Sequence, residues 1–450
     1  MRRRARRVEV AVLGAGPAAV ATACALRRIG HAVMLFGRSR QHALEGLSQR
    51  ALALLEYHGL GNAAACATQP AERSGRWGGS PVSAGHEYII ERGSFDRALR
   101  ADAADHGVHL QEEFALAIEP DTGGYRVRTR GGIHPARVLI DARGRRSGRP
   151  RLRGPGLIAL AQPLRAVAAG RARTLVAPLD EGWCWVASDG KGRGVLQLIA
   201  SSRRLASGAT PAQRLRECLV ALAARESALR RARPEGEVHG RAAGAGLSGA
   251  PAPSPGWVRA GDAAVAMEPL SGHGLYEALS WAGAASAAAH THLQGHGWEP
   301  VARFLTERAC DRWSVGIARA AGFYQQQAVA TPTPFWRDGA AAYAQLLGSL
   351  APAAQGAADW QTRPVVNGSV IEMRRVAVTR ERPRGVWQLD QVDLARLEEF
   401  LLAAPAADVV QAAGHLGRPA AAVARAAGWL RAHGLLAGGG PAPQKRVVNR

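Results

Sequence analysis

The sequence predicts an α/β protein built from a nucleotide-binding βαβ unit, an inserted mixed β-sheet and a small C-terminal winged-helix-like module. Three observations predict it. Residues 8–36 read as strand, glycine turn, helix and strand, with Gly14, Gly16 and Ala19 at G-x-G-x-x-A spacing in the turn. Residues 154–200 alternate apolar and polar, as half-buried strands do. After residue 366 a strand pair, residues 370–379 with 385–389, is followed by three short helical stretches.

The glycine turn comes first. Gly14 permits the tight turn, Gly16 lets a diphosphate approach the backbone, and the small Ala19 lets helix and strand pack closely. Gly14, Gly16, Pro17, Ala18 and Ala19 are therefore read as a phosphate-binding turn of a Rossmann-type βαβ unit. The acid that usually ends the second strand and holds the adenosine ribose is missing. Gly37 stands there, followed by Arg38, which either pairs with a phosphate or faces solvent.

Residues 45–56 read as a helix with leucines at helical spacing, and Glu45 and Arg50 are candidates for a cofactor edge. Residues 88–92 read as a strand. Ser94 and Asp96 suit N-terminal capping positions of the helix that follows, and Arg92 can lie against the cofactor. Residues 138–141 form another strand, leading into the turn from Asp141 to Ser147 (Asp-Ala-Arg-Gly-Arg-Arg-Ser). In the inserted region Trp183 and Trp185 share one face of a strand, as core or as the floor of an aromatic substrate pocket. The turn from Asp189 to Gly192 directs Lys191 to water.

Residues 258–281 organise the rest. A short apolar run ends in Gly261 and Asp262, and then Pro269, Leu270, Ser271, Gly272, His273 and Gly274 form a turn into an alanine-rich helix beginning near Leu275. Bare N–H groups at that helix N-terminus favour an anion or a partly negative oxygen. Asp262 is placed to hold a sugar-like hydroxyl. His273 and Glu268 are candidates for proton transfer, or for spacing the turn.

Composition excludes several classes. A hydrophobic fraction of 47% and 53 glycines suit a compact α/β chain rather than a disordered one. Five scattered cysteines form no CxxC pair and no metal-ligand spacing, so thiols in a reducing compartment, the cytoplasm, are expected rather than disulfides. The basic start followed by an apolar run mimics a secretion signal, but strand, turn and helix account for that run. No stretch is long and apolar enough to span a membrane. The net charge of +22 rests almost wholly on arginine, from codon bias or toward an acidic partner.

Taken together, the GAGPAA turn, Arg92-Gly93-Ser94-Phe95-Asp96, the Asp141–Ser147 turn, Gly261-Asp262 and the Pro269–Gly274 turn resemble group A flavoprotein monooxygenases in order and spacing. The spellings look like the tryptophan-halogenase-like branch, with Gly182-Trp183-Cys184-Trp185 in the middle sheet and Phe335-Trp336-Arg337 after a long helix. The resemblance covers roughly residues 8–340. It implies FAD as cofactor, held by the glycine turn, Arg38, Arg92, Gly261, Asp262, Gly272, Gly274 and Leu275. It implies NADH or NADPH as reductant. Chemistry would sit at Pro269, Gly272, His273 and Gly274, and Trp183 and Trp185 would border the substrate pocket.

Halogenases of the branch carry a catalytic lysine and a Trp-x-Trp-x-Ile-Pro segment. Here no lysine precedes Lys191, and the segment reads Trp183-Cys184-Trp185-Val186-Ala187-Ser188. The resemblance is therefore to monooxygenases that hydroxylate a tryptophan within a polypeptide, through a flavin C4a-hydroperoxide, in tryptophylquinone cofactor maturation. A hydroxylase or halogenase of a free aromatic molecule is the first alternative, and a nucleic-acid-binding flavoprotein regulator the second.

The expected domains are an FAD-binding domain at 1–150 and 256–340, a sheet substrate domain at 151–255, a linker at 341–365 and the winged-helix-like module at 366–450. Arg418, Arg425 and Arg431 lie on or near the last helix among many alanines, with few side chains suited to base edges. Packing, or docking of a polypeptide substrate, is expected of the module before nucleic acid.

Overall fold

The structure, a computed structural model, describes residues 8–38, 44–148, 150–205, 208–350 and 358–436. The chain forms two compact units, one of residues 1–350 with 368–370 and one of residues 351–367 with 371–450.

The first unit contains two large sheets. One runs His109–Gln111, Val33–Phe36, Val8–Leu13, Ile133–Asp141, Gly124–Arg128, Ala117–Asp121, and Trp257–Arg259 also pairs with Ile133–Asp141. Val8–Leu13 is parallel to both neighbours, with Leu13 in register with Phe36 and Asp141. Its residues from Val10 to Leu13 are fully buried, as a parallel strand covered on both faces requires. The C-terminal ends of these strands deliver the glycine turn, Gly37 and Asp141 to one edge, where open α/β sheets bind ligands.

Helix α1 (Pro17–Arg28) leaves the glycine turn, and α2 (Gln49–Tyr57) and α3 (Arg92–Asp105) follow. Later in the chain come α4 (Gly274–Leu293), α5 (Trp298–Ala330) and α6 (Pro334–Gly348). α1 packs against α4. Both are rich in alanine on their buried faces, including Ala19, Ala23, Ala282 and Ala285, which allows close approach.

The second sheet runs Arg233–Pro234, Leu157–Arg165, Arg193–Ser201, Gly182–Ser188, Arg173–Leu179, Pro70–Trp77, Ser80–Glu91, Leu44–Ser48, with His239–Ala242 also on Leu157–Arg165. One face packs on the helix Pro211–Ala223 through Cys184, Val186, Leu196, Leu198, Leu215 and Leu219. Strand alternation therefore turns Trp183 and Trp185 to the opposite face.

Four expectations need correction. The second sheet crosses the boundary expected at residue 150, because Pro70–Trp77 pairs in parallel with Arg173–Leu179. These outlying strands are polar and half-exposed, so alternation alone does not reveal them. The segment from Glu45 starts as the strand Leu44–Ser48, and the helix begins after Ser48, whose hydroxyl accepts from Ala51 N–H. The cap of α3 is Glu91, whose carboxylate accepts from the N–H groups of Gly93 and Ser94; Ser94 and Asp96 do not cap it. The linker expected at 341–365 is partly α6 and partly the strand Asp359–Asn367, while residues 351–357 lie outside the described residues.

In the second unit Asp359–Asn367 pairs with Val370–Val378, the strand expected to pair with residues 385–389; an isolated bridge of Ala377 to Val386 joins those two segments. Three helices follow, Leu394–Ala403, Val409–Leu416 and Ala420–Ala432, packed through Leu394, Leu397, Ala412, Val423, Ala426 and Leu430. Asp393 caps the first, and Asp408 with Gln411 forms a capping box on the second. Among the described residues no helix is long and apolar enough to cross a membrane.

Candidate functional site

The glycine turn opens the site. Gly14 has φ +118°, and a side chain there would run into the Ala142 carbonyl. Gly16 caps α1 with no side-chain hydrogen bond, and a Cβ there would meet nothing within 4 Å. Pro17, Ala18 and Ala19 are buried behind it as the first turn of α1. The N-terminus of α1 is thus left for an external acceptor, on a backbone with open space before it.

A second helix end lies beside the first. Gly261 has φ +62°, and its Cβ would lie 2.8 Å from Ala18 Cβ and 3.8 Å from Ala278 Cα, so only glycine fits between α1 and α4. α4 begins at Gly274 with His273 as an N-cap that makes no side-chain cap bond. Gly272, at φ +64°, turns the chain into it, and Gly274 faces open space. Leu275 is buried under the first turn, and His273 is half-buried with its ring 6.3 Å from that of Tyr276.

The Asp141–Ser147 turn braces this junction. Asp141 is fully buried and accepts from Arg143 Nε at 2.9 Å and Nη2 at 2.8 Å, and from Ser147 Oγ at 2.6 Å. Its role is therefore internal to the turn. Arg145 reaches across instead, with Nε 3.5 Å from Asp262 Oδ2 and Nη2 donating to Met267 O at 3.0 Å. Asp262 keeps its carboxylate partly exposed at the helix junction.

Arg92 lies on the α3 side of the site. It donates to Glu45 Oε2 and Asp96 Oδ1, each at 2.7 Å. Burial works against its charge, but Glu45 and Asp96 outweigh it and hold the guanidinium pKa above its ordinary value. Its Nη2 is buried without a hydrogen-bond partner among the described residues. Arg50 is engaged elsewhere, on the ring and hydroxyl of Tyr276.

Glu268 is the strongest electrostatic feature. It accepts from Leu270 N–H at 2.7 Å and lies 3.4 Å from the Tyr324 hydroxyl. Burial pushes its carboxyl up to about 8, so it holds a proton at neutral pH. Burial and the nearby Glu268 charge likewise raise Tyr324 and Tyr343 well above the phenol range. Pro269 starts the turn after Glu268 and is only half-buried.

The aromatic wall is assembled from distant segments. Tyr324 lies tilted against Tyr343 at 4.9 Å and Trp336 at 5.2 Å between ring centroids, and Trp336 meets Trp77 edge-on at 5.3 Å. Trp183 is buried and faces Tyr324, whereas Trp185 on the same side is half-exposed. Trp336 Nε1 donates to Leu179 O at 2.8 Å, tying α6 to the second sheet.

Two residues were not legible in the motifs. Arg73, from a polar strand of the second sheet, reaches the Pro269–Gly274 turn, where a Gly272 Cβ would lie 3.1 Å from its Nη2. Glu112 stands near the missing ribose acid: its carbonyl accepts from Arg38 Nε at 2.9 Å and its carboxylate pairs with Arg100 at 2.6 Å. Arg100 also donates to Gly37 O at 3.0 Å. Gly37 is required because its Cβ would press to 3.0 Å on Ala15 of the glycine turn. Arg38 itself is exposed, over the Phe114 ring at 5.9 Å.

A flavin dinucleotide fits these residues. Two uncapped helix ends meet at Gly261, Gly16 and Gly274 leave space where side chains would intrude, and Arg92 has an unsatisfied buried donor.

No family model and no curated protein matches the chain in sequence. Among solved structures it is similar to the peptidyl tryptophan dihydroxylase QhpG, essential for tryptophylquinone cofactor biogenesis, at 31% identity and a TM-score of 0.77. That match covers 96% of this chain and 100% of the other. The flavin-dependent halogenase CmlS shares the fold at 17% identity, 96% of each chain and a TM-score of 0.69. The myxobacterial chondrochloren halogenase CndH shares it at 20% identity, over 74% of this chain and 86% of its own, with a TM-score of 0.63. The chain therefore belongs to the family of the peptidyl tryptophan dihydroxylase, in the tryptophan-halogenase-like branch of the group A flavoprotein monooxygenases, and is an FAD-dependent monooxygenase.

Proposed function

We propose that this protein hydroxylates a tryptophan side chain within a polypeptide, in maturation of a tryptophylquinone-type cofactor, with NADH or NADPH as reductant. The observation that carries the reading is the 31% identity to a peptidyl tryptophan dihydroxylase across the whole of both folds, the C-terminal unit included. For each hydroxyl added, one O2 and one NAD(P)H are consumed; one oxygen atom enters the indole and the other leaves as water. FAD, when bound and reduced, supplies the activation of oxygen.

The chain's own residues hold and orient. The glycine turn from Gly14 to Ala19 receives the diphosphate at the N-terminus of α1. Asp262 takes a ribityl hydroxyl while Arg145 fixes its carboxylate. Arg92 Nη2 would donate to the cofactor, and Glu112, whose carboxylate Arg100 holds beside Gly37, would serve the ribose in place of an acid at Gly37. Gly272, Gly274 and Leu275 present the N-terminus of α4 to the ring's negative edge, with Arg73 adding positive charge beside the turn. Glu268 carries a proton at neutral pH that it would supply to the oxygen leaving as water, and His273 lies in the turn itself. Trp183, Tyr324 and Tyr343 exclude water around the target indole, with Trp185 nearer the opening.

The C-terminal unit or the arginine-rich surface would dock the polypeptide, and neither membrane nor nucleic acid is invoked. Five free cysteines suit the cytoplasm. The test is substrate-stimulated oxidation of NAD(P)H by the FAD-loaded protein. A tryptophan-bearing polypeptide should accelerate it, whereas free indole or tryptophan should not. Acceleration by free indole alone would favour a small-molecule hydroxylase.

A further inference from the structure

A cavity of about 300 Å³ lies among α2, α4 and α5, with Tyr57, His58, Tyr276, Gly283, Arg308 and Arg312 in its lining. That volume is at the lower end for small-ligand sites. It lies along α4 beyond the Gly272–Gly274 turn; Gly283 is nine residues after Gly274, about 13 Å along the helix axis.

The lining is cationic and prearranged. Arg308 Nη2 donates to Ser280 O at 2.7 Å and to Ser280 Oγ at 3.1 Å, and its guanidinium lies 5.0 Å from the Trp281 ring centre. Arg312 is held from behind by buried Glu277, with Nε to Oε2 at 2.9 Å. Arg50 sits over Tyr276 at 4.4 Å, adding positive charge beside the same wall. Fixed guanidinium groups of this kind suit phosphate oxygens.

The wall also offers an acceptor. His58 Nε2 is 3.2 Å from Leu279 O and so carries the ring proton, which leaves Nδ1 as a lone-pair site. Nδ1 is buried without a partner among the described residues. Burial and the nearby Arg28 hold the ring below its ordinary pKa, hence neutral. Tyr57 stands exposed beside it as a flat surface. Phosphate oxygens, hydroxyl donors and a planar base occur together in a nucleotide.

Gly283 keeps the space open. It is an exposed glycine inside a long helix, where alanine is the better helix former. A Cβ there would meet nothing within 4 Å, so no packing constraint explains the glycine.

We infer that this cavity binds the phosphate-and-ribose portion of the nicotinamide dinucleotide that reduces the flavin, an inference that rests on the reductant read above. The test uses FAD-loaded protein and Gly283→Leu, which fills the cavity without removing a contact. ADP-ribose binding is followed by titration calorimetry, and reduction kinetics are followed with NADH and NADPH. Expected results are ADP-ribose binding weakened more than tenfold and a KM for the reductant raised to match. The flavin spectrum and kcat at saturating reductant should be unchanged, with Gly283→Ala intermediate. Equal ADP-ribose affinity and equal KM in Gly283→Leu would overturn the assignment while leaving the monooxygenase reading intact. Inorganic phosphate binding as tightly as ADP-ribose would reduce the cavity to a lone phosphate site and also overturn it. A wild-type flavin that neither nicotinamide reduces would remove the underlying reading, and this inference with it.

Discussion

Glu268 and Tyr324 meet in the buried wall beside the Pro269–Gly274 turn, carboxylate oxygen to phenol oxygen at 3.4 Å. Neither bears charge comfortably there, and burial raises both. The pair therefore carries protons at neutral pH next to the helix end proposed to face the flavin.

Glu268→Gln tests that arrangement. The folded carboxyl titrates near 8, above its ordinary value of 4.5, so the folded state keeps a proton that the unfolded chain releases between those values. Wild-type stability should thus fall as pH rises from about 4.5 to 8, with a slope of at most about 1.4 kcal/mol per pH unit. Gln at 268 should flatten that slope in urea denaturation run across this range. Turnover should drop by about a hundredfold if the carboxyl supplies a proton. An unchanged slope would place the titration elsewhere.

The two glycines of the phosphate turn should separate folding from binding. Gly16→Val projects a side chain into empty space, so the apoprotein's Tm should hold while FAD affinity falls severely. Gly14→Ala forces a side chain against the Ala142 carbonyl at φ +118°, so Tm and flavin should be lost together. Thermal melts with flavin titration distinguish the two. Tight FAD binding by Gly16→Val would contradict the proposed approach of the diphosphate.

Arg92→Ala should cost about 3–5 kcal/mol in chemical denaturation. It leaves Asp96, 1% exposed, without its guanidinium partner. The double variant Arg92→Ala with Asp96→Asn should recover much of that loss without restoring flavin affinity. Recovery of both would make Arg92 a packing residue only.

The motifs placed the two helix ends well, because Gly14, Gly261 and Gly272 are required by backbone geometry that sequence spacing reports directly, while Gly16 leaves open space before the first helix. Asp141 was visible as part of a motif, but its closure on Arg143 and Ser147 depends on side-chain directions that spacing does not encode. Arg73 was hidden because its strand is polar and pairs with Arg173–Leu179, a hundred residues away in sequence. The aromatic wall was hidden for the same reason: Trp77, Trp183, Tyr324 and Trp336 come from separate elements. In the sequence Glu268 reads as a candidate for proton transfer or as a spacer in the turn, and its complete burial, which raises its pKa, is visible only in the fold.

The central claim is tested most directly by the mass of a tryptophan-bearing polypeptide after incubation with FAD-loaded protein, NAD(P)H and isotopically labelled O2. One or two labelled oxygen atoms should appear on a tryptophan ring, and the product should be lost in Glu268→Gln. Label absent from the polypeptide, or halide incorporated in its place when chloride or bromide is supplied, would contradict it.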